Sequence, residues 1–270
     1  MVGVLIAGVM QGTNMVRKSQ LQTARNLTTS SPVSGVKDLM LWYETSLESS
    51  FKTTEVADNT KISVWYDNNT QSIAKNNATQ ATSLNRPKFI ENVFGAIPAI
   101  RFNGSNERMG FDGTFLAGIN YTVFVIEQRR SQGTANFFIC GTGNTQYSNL
   151  GLGYRASGTE ITMSHYAYDM DTSAGTILSY SSPTPRMHSF WFSKTAGMKY
   201  WVNGGVNPDQ SNSGMTKALV SNAGASLGIP SGSYNGDIAE VIIFARDLKN
   251  EEKQTIEAYL SKKYNIAITG

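Results

Sequence analysis

Cysteine, histidine and charge are all scarce in this sequence. A single cysteine, Cys140, excludes any internal disulfide, although it does not fix a compartment. The only two histidines, His165 and His188, lie far apart without a His-Glu-x-x-His pattern, which excludes the familiar zinc sites. Charged residues make up 16% of the 270 positions. Three of the 23 basic residues (Arg17, Lys18 and Arg25) and none of the 20 acids precede residue 37, so the remainder carries 20 of each sign and is neutral. A neutral main domain excludes a nucleic-acid surface, which needs a basic stripe to displace counterions. Long apolar runs are absent as well. Met1 to Met10 is wholly apolar but is too short to span a bilayer alone, for which about 20 residues are needed.

What is present is glycine, 25 residues of it, and a succession of short β-branched and aromatic runs broken by turn residues. Leu39 to Tyr43, Ile62 to Tyr66, Pro98 to Gly104, Tyr121 to Gln128, Asn136 to Cys140, Arg186 to Ser193 and Met198 to Val202 read as strands. Leu150 to Arg155 and Glu160 to Tyr168 read as a hairpin about Ser157 and Gly158. Within the second arm, period two places Thr162, Ser164, Tyr166 and Tyr168 on one face and Met163, His165 and Ala167 on the other. The stretch Ser233 to Tyr264 closes the chain with a buried strand, Ile238 to Phe244, and a helix capped by Asn250. That helix carries Glu251 and Glu252 in its first turn and Lys262 and Lys263 in its last, which suits its dipole. Ile256, Tyr259, Leu260 and Tyr264 form one apolar stripe, and a single stripe must lie on something. The predicted fold is therefore all-β: a jelly-roll antiparallel sandwich with a short C-terminal helix packed on it.

Residues 1–27 contain no proline and predict one continuous helix of roughly 40 Å. Thr28 to Gly35 (TTSSPVSG) predicts a polar linker, and residues 36–270 the sandwich. The opening MVGVLIAGVMQGTNMVRKSQLQ resembles the N-terminal helix of type IV pilins and pseudopilins, although the aromatic residue and glutamate that come just before such a stretch in that family are missing here. That resemblance implies membrane insertion before assembly and packing among pilus subunits afterward, at the cell surface.

The blocks LMLWYE, VWYDNN, NNATQAT, RPKFIENVFGAIPAIRFNGS and YNGDIAEVIIFARDLKNEEKQTIEAYLSKKY occur in that order. Together they resemble bacterial laminin-G-like domains of the concanavalin A-like lectin and glucanase superfamily, from about Val36 to Ile268. The resemblance implies a sandwich and either glycan binding, binding of a surface protein, or polysaccharide hydrolysis. At Asp67 the sequence continues Asn-Asn-Thr-Gln where the family usually has Ser-Gly-Asn-Gly.

The residues themselves bear on several kinds of chemistry. Gly224-Ala-Ser-Leu-Gly228 matches a nucleophile elbow, but both histidines precede it and no helix pattern follows. A glycosidase needs two facing carboxyl groups, and the laminarinase-type Glu-x-Asp-x-x-Glu does not occur. Asp237 and Glu240, three apart on one strand, are expected on opposite faces in structural roles. An enzyme is therefore not expected. No cofactor is expected either, apart from calcium, whose available oxygen donors are Asp67, Asn69, Asp169 and Asp171. Sugars stack on aromatic rings, and Tyr154, Tyr166, Tyr168, Tyr180, Trp191 and Trp201 fall in the half of the chain that would build the concave sheet, each also readable as a core ring. Tyr166 and Tyr168 are the two expected to be exposed.

Overall fold

The computed structural model describes residues 2–133, 136–155, 160–171, 182–228 and 234–269. Helix α1 (Val2–Thr29) is followed by strands β1 (Leu39–Glu44), β2 (Thr60–Lys61), β3 (Val64–Trp65), β4 (Ala78–Thr79), β5 (Lys88–Phe94), β6 (Ile97–Asn103), β7 (Met109–Gly110) and β8 (Tyr121–Arg129). Then come β9 (Asn136–Cys140), β10 (Leu150–Arg155), β11 (Glu160–His165), β12 (Asp169–Asp171), β13 (Arg186–Ser193), β14 (Gly197–Val202), β15 (Gln210–Asn212), β16 (Ser226–Leu227), β17 (Asn235–Phe244) and helix α2 (Asn250–Tyr264). The strands form two sheets. Sheet 1 runs β15-β14-β13-β8-β17-β6-β5-β2, with β1 sharing an edge of β17 with β6, and sheet 2 runs β12-β11-β10-β9-β16-β7-β4-β3. Every pairing among the described residues is antiparallel, which makes the fold the expected jelly-roll-like sandwich.

Two apolar layers hold it together. The first lies between the sheets, where Val123, Val125, Ile238, Val241 and Ile243 of sheet 1 meet Phe138, Leu152, Met163 and Leu227 of sheet 2. The second lies outside sheet 1, where Phe124, Ile126, Ala239, Ile242 and Phe244 meet Ile256, Leu260 and Tyr264 of α2 and Ala24 of α1. Strands β8 and β17 are apolar almost throughout because both of their faces are covered. The stripe expected on α2 is the face it buries. Ile256 and Leu260 are fully buried, at about 2 kcal/mol each for the apolar area removed from water.

Four local expectations are corrected. The run from Ile62 to Tyr66 is not one strand: β2 belongs to sheet 1 and β3 to sheet 2, so the chain crosses between sheets there. The N-cap of α2 is Lys249 and not Asn250, and its backbone N–H donates to Glu252 Oε2 at 3.1 Å. The segment 28–35 is no free linker, since α1 runs to Thr29, Thr28 and Val33 are buried, and a short 3-10 turn spans Val33–Gly35. Asp237 and Glu240 lie on the same face. A bulge between Ile238 and Glu240 inserts one extra residue and turns Glu240 outward beneath α2. The turn at Ser157 and Gly158 lies outside the described residues, as does Tyr180.

Candidate functional site

Several residue clusters that look reactive are sealed inside the sandwich. Glu127 on β8 accepts from Tyr154 Oη at 2.7 Å and from Tyr234 Oη, and it lies 2.9 Å from His188 Nε2. A carboxylate has no proton to give, so Nε2 carries it and Nδ1 accepts from Tyr200 Oη at 2.9 Å. Burial works against charge on Glu127, but the bonds from His188, Tyr234 and Tyr154 outweigh it and hold the carboxyl below its ordinary range. Burial pulls His188 down despite Glu127. Tyr154 is therefore an interior ring, out of reach of any external sugar.

Both candidate tryptophans lie on the helix-covered side. Trp201 is buried with Lys253 Nζ 4.2 Å above its ring, and Trp191 donates from Nε1 to the Leu248 carbonyl at 3.0 Å. They dock α2 and its leading loop on sheet 1, so sheet 2 has neither. Asp67 and Asn69 are likewise consumed. Asp67 Oδ1 accepts from the backbone N–H groups of Trp42 and Asn69, both at 2.9 Å, and Oδ2 from that of Asn76 at 3.2 Å. Asn69 bridges the Leu39 carbonyl and the Gln71 N–H. These two tie a loop beside β3, whereas Asp169 and Asp171 form β12, at the opposite edge of sheet 2. The four proposed calcium donors are thus not brought together. Among the described residues no group of three or more His, Cys, Asp or Glu side chains is arranged to hold a metal.

The outward face of sheet 2 is where unspent groups collect, and no described helix or strand packs across it. Register sets its rows: Gly151, Ser164 and Asp169 lie side by side, and Gly153, Thr162 and Asp171 form the next row. Phe137 on β9 stands opposite Gly153. A Cβ at Gly153 would come within 2.4 Å of Phe137 Cα, and one at Gly151 within 3.4 Å of its ring carbon Cε1. The half-buried ring therefore borders Gly151 at contact distance, while the backbone of Asn136 and Phe137 leaves no room for a side chain at Gly153. Beside it, the Arg155 guanidinium carbon is 5.6 Å from the ring centroid, and Nη1 donates to Asp169 Oδ2 at 2.7 Å while standing 3.6 Å from Asp171 Oδ1. Thr162 Oγ1, Asp169 Oδ1 and Asp171 Oδ1 are buried without a hydrogen-bond partner. Such oxygens are uncommon, because each forgoes about 1–3 kcal/mol, and these three fall in two adjacent rows of one sheet face. On the same face, burial pushes the Cys140 thiol up to about 11, so it is a neutral small side chain here and no nucleophile.

The expected alternation along β11 holds through His165 and then fails. The strand ends at His165, and the chain turns through positive φ at Tyr166 (29°) and Ala167 (58°). This turn leaves Tyr166 39% exposed, while Tyr168 packs edge-on against Tyr147 and donates to the Gly214 carbonyl at 3.0 Å. At the other half of sheet 2 a groove of about 690 Å³ is lined by Asn76, Asn77, Gln80, Arg108 and Asp112. Its amides are largely spent: Asn76 pairs with the Asp112 backbone, Asn77 caps Asp67, and Gln80 bridges Arg108 and Thr82. Asp112 is the groove's one lining carboxylate. Phe137 and Arg155 were missed by the sequence reading. The alternate glycines Gly151 and Gly153 were the available signal, since glycine in a strand interior marks a close approach.

No family model and no curated protein matches the sequence. Among solved structures, the chain is similar to domain 4 of AbnA, a GH43 extracellular arabinanase from Geobacillus stearothermophilus, in complex with arabinotriose (TM-score 0.56, 13% identity, 82% of this chain and 98% of that one). It is also similar to the binding domain of Paraclostridial Mosquitocidal Protein 1 (TM-score 0.57, 14% identity, 83% of this chain and 52% of that one). A third is Trypanosoma rangeli sialidase (TM-score 0.55, 14% identity, 94% of this chain and 39% of that one). The chain thus spans about half of the second and two-fifths of the third. At these identities the likeness establishes the fold alone, an antiparallel β-sandwich.

Proposed function

We propose that this chain is a non-enzymatic, surface-displayed protein that binds glycans on the outward face of sheet 2. The observation that carries the reading is the half-buried Phe137 ring, beside Gly151 and the Arg155–Asp169 pair, with three unsatisfied oxygens on the same sheet face. An aromatic face takes the C–H side of a sugar, and adjacent carboxylate and guanidinium groups take its hydroxyls. Exposed Tyr166, at the turn between β11 and β12, extends the contact surface. Support for display at the cell surface, through membrane or pilus subunits, is the single helix α1 with its apolar opening run. No described helix is long and apolar enough to cross a membrane by itself. A protein partner in place of a glycan would use the same face.

The test is a glycan array probed with the full chain, with arabinan oligosaccharides included because the AbnA domain was solved with arabinotriose. Binding is expected for the native chain and at least a tenfold loss for Phe137→Ala and for Asp169→Asn. An array without a single hit overturns the reading. A hydrolase is the second reading, favoured by two carboxylates, Asp169 and Asp171, within reach of one guanidinium. They sit side by side on one strand and do not face each other across a cleft, and the expected result is no release of reducing ends from any glycan bound on the array.

A further inference from the structure

A second cavity, of about 480 Å³, lies between α1 and the sandwich. Its floor is apolar, built from Leu47, Phe51, Val56, Phe89 and Pro98, with Leu21 of α1 above it. Its helical wall is basic and carries Arg17, Lys18 and Arg25. Arg25 is spent on the Ser46 carbonyl at 2.8 Å and on Glu48 at 2.9 Å. Arg17 and Lys18 are exposed and make no ion pair among the described residues, and Glu91 is the remaining acid of the lining. A pocket of this size suits a small ligand, and an apolar floor under two unpaired cations is complementary to an anionic amphiphile. Arg17 lies seven residues, about 10 Å of helix, beyond the apolar run that ends at Met10. With that run in a bilayer, the basic wall stands at the depth of the headgroups, where each cation gains from anionic lipid.

We propose that this cavity binds one anionic phospholipid, its acyl chain on the Phe51–Val56–Phe89 floor and its phosphate at Arg17 and Lys18. The proposal rests on the membrane-anchoring reading of α1, and two separate measurements keep the two apart. The full chain is titrated with monomeric dihexanoyl-phosphatidylglycerol below its micelle concentration, with dihexanoyl-phosphatidylcholine as the neutral counterpart. Saturable one-to-one binding is expected, at least tenfold tighter for the anionic lipid. The double variant Arg17→Gln/Lys18→Gln is expected to lower that affinity at least tenfold, and Val56→Trp, which fills the floor, to abolish binding with an unchanged circular dichroism spectrum. Equal affinity for the two lipids, no saturable binding, or full binding by the double variant overturns the proposal. Flotation with neutral phosphatidylcholine vesicles reports the anchoring of α1 by itself. Vesicle binding without monomer binding sinks the pocket alone, and monomer binding without flotation sinks the anchor alone.

Discussion

His165 lies inside the sandwich with Nδ1 2.7 Å from the Lys217 carbonyl and Nε2 2.7 Å from Tyr121 Oη. The carbonyl can only accept, so Nδ1 carries the proton and the tyrosine donates to Nε2, an arrangement open only to the neutral ring. Burial lowers the imidazole from its ordinary 6.5 to about 4. The unfolded chain therefore binds this proton first on acidification. Stability from this residue is full above pH 6.5, falls as the pH drops through the window down to about 4, and the loss totals about 3 kcal/mol. Chemical denaturation at a series of pH values should show this slope, and His165→Gln should flatten it. Tyr154 offers a contrasting expectation. Replacing it by Phe removes a donor from buried Glu127 and should destabilise the fold by about 1–3 kcal/mol in urea unfolding, while glycan binding of the folded fraction stays unchanged, because the ring faces inward. In the sequence, Tyr154 reads as a candidate sugar contact, whereas Phe137 is not picked out. Only the pleat direction relative to the two sheets separates them.

Helix α2 buries more than its apolar stripe. Lys263 Nζ reaches Glu240 Oε2 at 2.8 Å and Glu44 Oε2 at 3.1 Å, and Lys253 Nζ reaches both oxygens of Glu257 at 2.8 Å, all of these groups being buried. Glu240 also accepts from Trp42 Nε1 at 2.7 Å and from Tyr264 Oη at 2.8 Å. Desolvation opposes the charge on Lys263, but Glu240, the two tyrosines and Glu44 hold its ammonium well above the ordinary range. Removing the cation leaves two buried carboxylates facing each other, so Lys263→Met should cost about 3–5 kcal/mol. Calorimetry should show the corresponding fall in Tm, and adding Glu44→Gln and Glu240→Gln to the same chain should recover a large part of it. The amphipathic stripe of α2 was legible from residue spacing. Its buried ion pairs were not, because Lys253, Glu257 and Lys263 read as solvated charges until the bulge in β17 swings Glu240 beneath the helix.

At the scale of the whole molecule, β8 and β17 are shared between both apolar layers, so the sandwich interior and the helix-covered face stand or fall together. Thermal unfolding followed by far-ultraviolet circular dichroism and by tryptophan fluorescence should give coincident transitions; Trp65 reports the interior and Trp201 the helix contact, and two separated midpoints would contradict this coupling. Residue pattern alone determined the strand-rich class, the long first helix, the closing strand and helix, and the neutrality of the main domain, because periodicity and composition are local properties of the chain. It could not determine which edge of a sheet each acid reaches or which aromatic rings face outward. Those depend on register, on one inserted residue in β17, on the crossing of the chain between β2 and β3, and on which sheet the helices cover. Tertiary structure therefore parted Asp67 and Asn69 from Asp169 and Asp171, turned Tyr154 inward, and set Phe137 with Arg155 on the face that α1 and α2 leave uncovered, since long-range pairing fixes the direction of a side chain that local sequence leaves open.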